Sequence, residues 1–368
     1  MGAEHGAESL VRWTRGDVAP PTKLDVYLTN RCNLLCQFCH YPFLPSHRYQ
    51  GELSHEELLA IVRGGGEMGV KVLGMLGGEP FLRKETALQM MALAKKYRMS
   101  GAIVTNGTLL REEDLRPIIG MQWDLMRISL DGSRADTHDK LRGVKGSFDM
   151  TLRTVSTLQS LKRKEGLSHP TLELNMVLTR RNVDDLAGMI RLSSEHGINR
   201  IYVLPVIEFG KDISHLKFRE QDGQSVVAHI KEAEAVSKEM GITSNLGTIR
   251  DGLLFSKSNA MDTVLLDNAM DSEIPCFFPW HGMSIDAQGW VTPCGQIETP
   301  VRINIRDYGS LSAAWTSQYF MNLREKMLNS ELPKGCERCC MPLMDDNTML
   351  RRELESRGVQ FGGGQWVD

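Results

Sequence analysis

Six short apolar segments alternate with helix-patterned stretches over roughly the first two hundred residues, and that alternation limits the fold more than any other feature of the chain. The apolar segments are Leu24–Leu28, Val70–Leu76, Ala102–Thr105, Leu125–Leu130, Leu172–Leu178 and Arg200–Leu204. Helical periodicity fills Leu53–Met68, Glu85–Tyr97, Ser147–Lys164 and Asn182–His196, and Ser54 with Glu57 makes a capping box at the first of these. Such alternation predicts an α/β fold with parallel strands and right-handed crossovers. The strands read as apolar runs, the pattern of a sheet covered on both faces. Ligands of parallel sheets bind beyond the carboxyl ends of the strands. Each chemistry-bearing motif here follows a strand: three cysteines, then Gly77-Gly78-Glu79-Pro80, Thr105-Asn106-Gly107 and Ser129-Leu130-Asp131-Gly132. They are expected to converge on one rim.

The cysteines are Cys32, Cys36 and Cys39, spaced C-x3-C-x2-C. Three thiolates on one loop can hold three irons of a cubane cluster and leave the fourth iron open. The spacing alone also allows a zinc site one ligand short. The other five of the eight cysteines, Cys276, Cys294, Cys336, Cys339 and Cys340, lie in the last quarter. The N-terminus has no apolar signal segment. Thiols gathered at both ends of such a chain argue for metal or catalysis in a reducing, cytoplasmic setting rather than for disulfides. Residues 283–293 alternate like a hairpin around Asp286–Gly289, between Cys276 and Cys294. A helix-patterned stretch at 311–329 then leads to the Cys336–Cys339 pair. Four thiolates so arranged fit one fully ligated site, Fe–S or zinc.

A length of 368 residues exceeds a comfortable single core and predicts two domains. The expected division is an N-terminal tail at 1–22, a first domain at 23–245, a second metal domain at 246–345 and a C-terminal tail at 346–368, with Gln365-Trp366 as a flexible lid or plug. A net charge of −3 gives no basic surface for nucleic acid, and no apolar run reaches the length of a membrane span.

Taken together, the cysteine loop and the strand-end motifs resemble the radical S-adenosylmethionine (radical SAM) superfamily, over roughly residues 24–340. The resemblance implies a partial (β/α)6 TIM-like barrel. In it SAM chelates the open iron held by Cys32, Cys36 and Cys39. It also implies that Gly77, Gly78, Glu79 and Pro80 bind the amino group of SAM, and that Thr105 and Asn106 lie on the cofactor rim. Ser129 and Asp131, two residues apart and so on one side of a strand end, suit a ribose or an amino group. Arg142, in a Leu141-Arg142-Gly143 step, and Asn175 are further SAM-site candidates. The Cys276–Cys294 gap, Gly289 five residues before Cys294, and the C-x2-C pair resemble a SPASM/twitch auxiliary domain of the aminocyclitol dehydrogenase type. There Cys276, Cys294, Cys336 and Cys339 would hold an auxiliary 4Fe–4S cluster, making two clusters in all. Cys340 is left over, as a buried thiol or a catalytic hydrogen-atom donor, and it could exchange roles with Cys339.

The function so implied is an oxidoreductase or epimerase. SAM is cleaved reductively and a hydrogen atom is taken from a small polar substrate such as a sugar, aminocyclitol or nucleoside. The short stretch before the first strand favours such a substrate, because it leaves no room for an N-terminal peptide-recognition domain. Two other readings stand beside it: a peptide- or protein-modifying enzyme, and a non-enzymatic metal-binding module. The electron would come from a low-potential donor such as flavodoxin or ferredoxin. His281, beside Trp280 and near Cys276, is the histidine candidate for a base.

Overall fold

The computed structural model describes residues 2–208, 212–255, 276–295, 301–329, 331, 333, 341–362 and 365–367. Helix α1 (Gly2–Thr14) precedes β1 (Lys23–Tyr27), α2 (His55–Met68), β2 (Val72–Leu76), α3 (Lys84–Lys96), β3 (Ser100–Thr105), α4 (Glu112–Gly120) and β4 (Leu125–Ser129). Then come α5 (Ala135–Arg142), α6 (Ser147–Glu165), β5 (Thr171–Leu178), α7 (Leu186–Glu195), β6 (Arg200–Pro205), α8 (Gly223–Met240), β7 (Thr243–Ser244) and α9 (Leu246–Phe255). Strands β1 to β7 are all parallel and lie side by side in chain order. Every crossover therefore steps in the same direction. Right-handed connections then place all the helices on one face, and the sheet curls away from them into the expected partial barrel. Ser54 caps α2 through the capping box read from the sequence, and Gly69 closes it in the left-handed conformation.

One expectation needs correction. The strands alternate, and only one face of the sheet lies under the helices. Leu24, Val26 and Leu28 are fully buried against Leu58 and Val62 of α2. Lys23, Asp25 and Tyr27 point the other way, into the lumen. Neighbouring strands continue this polar lining. Arg127 of β4 bonds Glu173 of β5 at 2.7 Å, and Arg200 of β6 lies 3.3 Å from the same carboxylate. Ser129, Asn175 and Tyr202 stand in register on β4, β5 and β6.

The C-terminal part adds α10 (Phe278–His281), β8 (Gly282–Ile285), β9 (Trp290–Thr292), β10 (Ile303–Asn304), α11 (Leu311–Trp315), α12 (Gln318–Leu328), α13 (Met341–Ser356), β11 (Gln360–Gly362) and β12 (Gln365–Val367). Strands β8 and β9 form the anticipated hairpin. Unanticipated is that β8 pairs in parallel with β1, Lys23 opposite Gly282, so the hairpin extends the barrel sheet beyond its first strand. The stretch read as one helix at 311–329 is two, with Ser317 at the second N-cap.

The two tails are also structured. Helix α1 lies against α13, where Ala7, Leu10, Leu350 and Leu354 join Phe277, Trp280, Met327 and Val359 in one buried cluster. Trp13 Nε1 donates to the carbonyl of Trp280 at 3.1 Å. Burying each leucine contributes about 1.5–3 kcal/mol, enough to order a helix whose sequence reads as polar lead-in. Strands β11 and β12 form a separate antiparallel hairpin.

Candidate functional site

The chain leaving β1 is pinned before it reaches the first cysteine. The Glu52 carboxylate accepts from Thr29 Oγ1 at 3.0 Å and from the Asn30 N–H at 2.8 Å. Asn30 Nδ2 donates to the Arg48 carbonyl. The loop after β2 then lies backbone to backbone on this segment: the Gly78 N–H donates to Thr29 O and the Glu79 N–H to Arg31 O, both at 2.8 Å. Glycine is obligatory here. A Cβ on Gly77 would sit 2.5 Å from Thr29 O, one on Gly78 would sit 2.1 Å from Arg31 O, and Gly77 has φ +130°.

Glu79 is the hub of the rim. Its Oε1 accepts from the Phe81 N–H at 3.0 Å and from Thr105 Oγ1 at 2.7 Å, while its Oε2 accepts from the Asn106 N–H at 2.8 Å. Burial pushes its pKa up, against these three donors. Three of four acceptor positions are filled, which leaves one at Oε2 for a ligand donor. Pro80 is buried at the start of the following 3-10 turn. Asn106 Nδ2 donates to Asn33 Oδ1 at 2.9 Å and lies 4.0 Å from Cys32 Sγ. Asn33 Nδ2 in turn donates to Thr108 Oγ1. The second and third motifs are thus locked to the cysteine loop.

The fourth motif meets it from the other side. The Leu35 and Gln37 N–H groups donate to the carbonyls of Arg142 and Leu141, and a Cβ on Gly143 would meet Leu35 O at 2.4 Å. The Arg142 guanidinium lies 2.5 Å from Asp131 Oδ2 and 3.7 Å from Cys36 Sγ, and 5.5 Å from the centre of the Phe38 ring. Burial works against its charge, but Asp131 and Cys36 outweigh that and hold its pKa above the ordinary value. Asp131 is fully buried and also accepts from the Val177 N–H at 2.8 Å. It does not share an open side with Ser129, as the two-residue spacing suggested; it neutralises Arg142. Its own N–H donates to His138 Nδ1, in a pocket where burial pushes that histidine down to about 3. Asn175 Oδ1 is buried without a partner among the described residues and faces the lumen in register with Ser129.

The residues fit a cluster. Cys32, Cys36 and Cys39 are free thiols, and N–H groups of Leu34 and Arg142 are aimed at the first two. Burial raises Cys32 to about 11 and Cys39 to about 12, so bare thiols stay protonated near neutral pH until iron displaces the proton. Among the described residues no three His, Cys, Asp or Glu side chains converge on a single metal ion. Three thiolates carried by one loop suit a cubane in which each binds its own iron.

At the second cysteine region, Cys276 Sγ accepts from the Phe278 N–H and from Asn347 Nδ2, each at 3.5 Å. Just past Cys294, a Cβ on Gly295 would lie 2.2 Å from Tyr27 Oη, so this segment borders the lumen. Cys336, Cys339 and Cys340 lie outside the described residues. His281 is buried, pushed down to about 4 by burial, and packed on Phe278. Sequence reasoning missed Glu52, Asn33, Thr108 and Asn347, which carry no motif. It also missed Lys23 and Asp25, whose two-residue alternation with Leu24 and Val26 was visible.

Comparison with known proteins agrees with this geometry. The sequence model of the radical SAM superfamily matches residues 26–193, and that of the SPASM iron–sulfur cluster-binding domain matches 276–340. An Fe-coproporphyrin III synthase of Methanosarcina barkeri is 33% identical over 50% of this chain and 44% of its own length, so the chain spans about half of that relative. A PqqA peptide cyclase of Rhizobium meliloti is 24% identical over 87% of this chain and 80% of its own. Among solved structures, Streptococcus suis SuiB has a TM-score of 0.64 at 16% identity, covering 86% of this chain and 71% of SuiB. The chain belongs to the radical SAM superfamily, with a SPASM-type iron–sulfur domain following its partial barrel.

Proposed function

We propose that this chain modifies a peptide or protein substrate by radical SAM chemistry. The observation that carries the reading is the extent of similarity to two PqqA peptide cyclases, which runs over most of both chains, whereas the porphyrin-type relative spans half. The fold likeness to SuiB, which has also been solved with its precursor peptide SuiA, is in keeping with it. The sugar or aminocyclitol substrate expected from the short N-terminal stretch has no comparable support. That stretch is also not an unstructured tail but a docked helix.

Cys32, Cys36 and Cys39 would hold the cluster, which with bound SAM would supply one-electron reductive cleavage, fed by a flavodoxin- or ferredoxin-type donor. The chain's own residues do the rest. Glu79 offers its open Oε2 position to the SAM amino group, and glycines at 77 and 78 let its loop lie directly on the Thr29–Arg31 backbone. Arg142, charged and held by Asp131, steadies the Cys36 thiolate. Ser129 and the unpartnered Asn175 Oδ1 present polar atoms to the ligand from the lumen wall. Helix α13 is bonded to the inner face of the barrel through Asp345 on Tyr202 and Asp346 on Lys23.

The test is anaerobic. Reconstituted protein is given SAM, a reductant and, in parallel, a peptide library or a panel of sugars, aminocyclitols and nucleosides. Deoxyadenosine release coupled to a mass change in a peptide, absent from the Cys32→Ala/Cys36→Ala/Cys39→Ala variant, is the expected result. Turnover with a small metabolite and none with peptides would overturn the reading.

A further inference from the structure

One turn of α13 touches both the barrel and the auxiliary centre. Asp345 accepts from Tyr202 Oη and Asp346 from Lys23 Nζ at 3.0 Å, both on the lumen side. The next residue, Asn347, turns the opposite way. Its Oδ1 accepts from the Phe277 N–H at 2.9 Å and its Nδ2 donates to Cys276 Sγ at 3.5 Å. It is 8% exposed. One turn further, the Arg351 guanidinium stands 5.0 Å from the centre of the Phe277 ring.

We propose that Asn347 is a positioning residue for the auxiliary iron–sulfur centre, holding Cys276 by an N–H···S bond and raising the reduction potential of the cluster bound there. The inference rests on the SPASM match for the identity of that cluster. The orientation of the amide is fixed by the backbone: the Phe277 N–H needs an acceptor, so the oxygen faces it and the NH2 faces the sulfur. A primary amide offers an acceptor and a donor from one short planar group; an ionised aspartate has no donor, and an aliphatic side chain has neither. A donor on a ligating thiolate withdraws negative charge from the cluster and favours its reduced form. Arg351, four residues on along the same helix, adds positive charge on that side.

The experiment uses the full-length, anaerobically reconstituted enzyme. The auxiliary EPR signal is the one that SAM addition leaves unchanged, and its midpoint potential is read by redox titration in wild type, Asn347→Asp and Asn347→Leu. Asn347→Asp keeps an acceptor for the Phe277 N–H, so it preserves the local fold if the leucine variant fails to load iron. Both substitutions are expected to move the midpoint downward at unchanged iron content. Pulsed EPR after exchange into D2O is expected to show one fewer exchangeable deuteron coupled to the cluster in Asn347→Asp. That second readout separates loss of the donor from the added charge. A deuteron count unchanged in Asn347→Asp, or a wild-type midpoint in a fully loaded leucine variant, overturns the assignment while leaving the auxiliary cluster in place. Zinc at this site, with no second EPR signal, overturns the cluster and the inference together.

Discussion

Replacing Asp131 by alanine isolates the charge balance behind the cysteine loop. Asp131 is fully buried and Arg142 is 7% exposed, so neither charge is solvated by bulk water. Their contact is 2.5 Å, and the Val177 N–H donates to the same carboxylate. Asp131→Ala therefore strands a buried guanidinium and orphans a backbone N–H. Breaking a buried pair from one side costs about 3–5 kcal/mol, and the orphaned donor adds about 1–3 kcal/mol. Asp131→Ala/Arg142→Met removes both charges and leaves a smaller loss, because an apolar replacement of a whole buried pair is often close to neutral. Urea unfolding of the apo-protein, followed by circular dichroism, measures Asp131→Ala, Arg142→Met and the double variant against wild type and gives the coupling as a double-mutant cycle. The double variant is expected to be more stable than Asp131→Ala alone. If it is less stable, by the full sum of the single losses, Asp131 does not act by neutralising Arg142 and the reasoning fails.

Further outcomes follow from the same geometry. Gly78→Ala forces a methyl group into Arg31 O, so the loop must shift; SAM-dependent deoxyadenosine formation is expected to fall at least tenfold, while about four auxiliary irons per chain are retained on analysis. His138 is buried with its pKa pushed down to about 3, so the unfolded chain binds a proton that the folded chain does not. Its share of stability is present above about pH 6.5 and is lost as pH falls toward 3. His138→Asn, which keeps an acceptor for the Asp131 N–H, is expected to flatten urea midpoints across that window; an unchanged slope refutes the assignment. Leu350→Ala opens a cavity where α1 crosses α13, close enough that a Cβ on Gly6 would touch the Leu350 side chain. The expected loss is about 2–5 kcal/mol, and α1 is expected to become the first site of limited proteolysis. Equal protection of α1 in both proteins would show that this contact does not hold it.

Local patterns determined a large part of this protein. Cysteine spacing within one loop, glycines at a strand end and the strand–helix rhythm all act over a few residues, so the barrel, its order of units and the rim motifs were legible. The capping box at Ser54 is of the same kind. What only tertiary structure decided involves partners far apart in the chain. Nothing near Lys23 announces Asp346, 323 residues away, and nothing near Cys276 announces Asn347. Glu52 reaches the Asn30 N–H only because α2 begins beside β1. The polar lumen was half legible: period-two spacing puts Lys23, Asp25 and Tyr27 on one face, but apolar neighbours hid it, since only the closing sheet says which face stays open. The docking of α1 was not legible at all. Its apolar face is narrow, and its partners Trp280 and Leu350 come from the other end of the sequence, so burial, not local propensity, makes the helix.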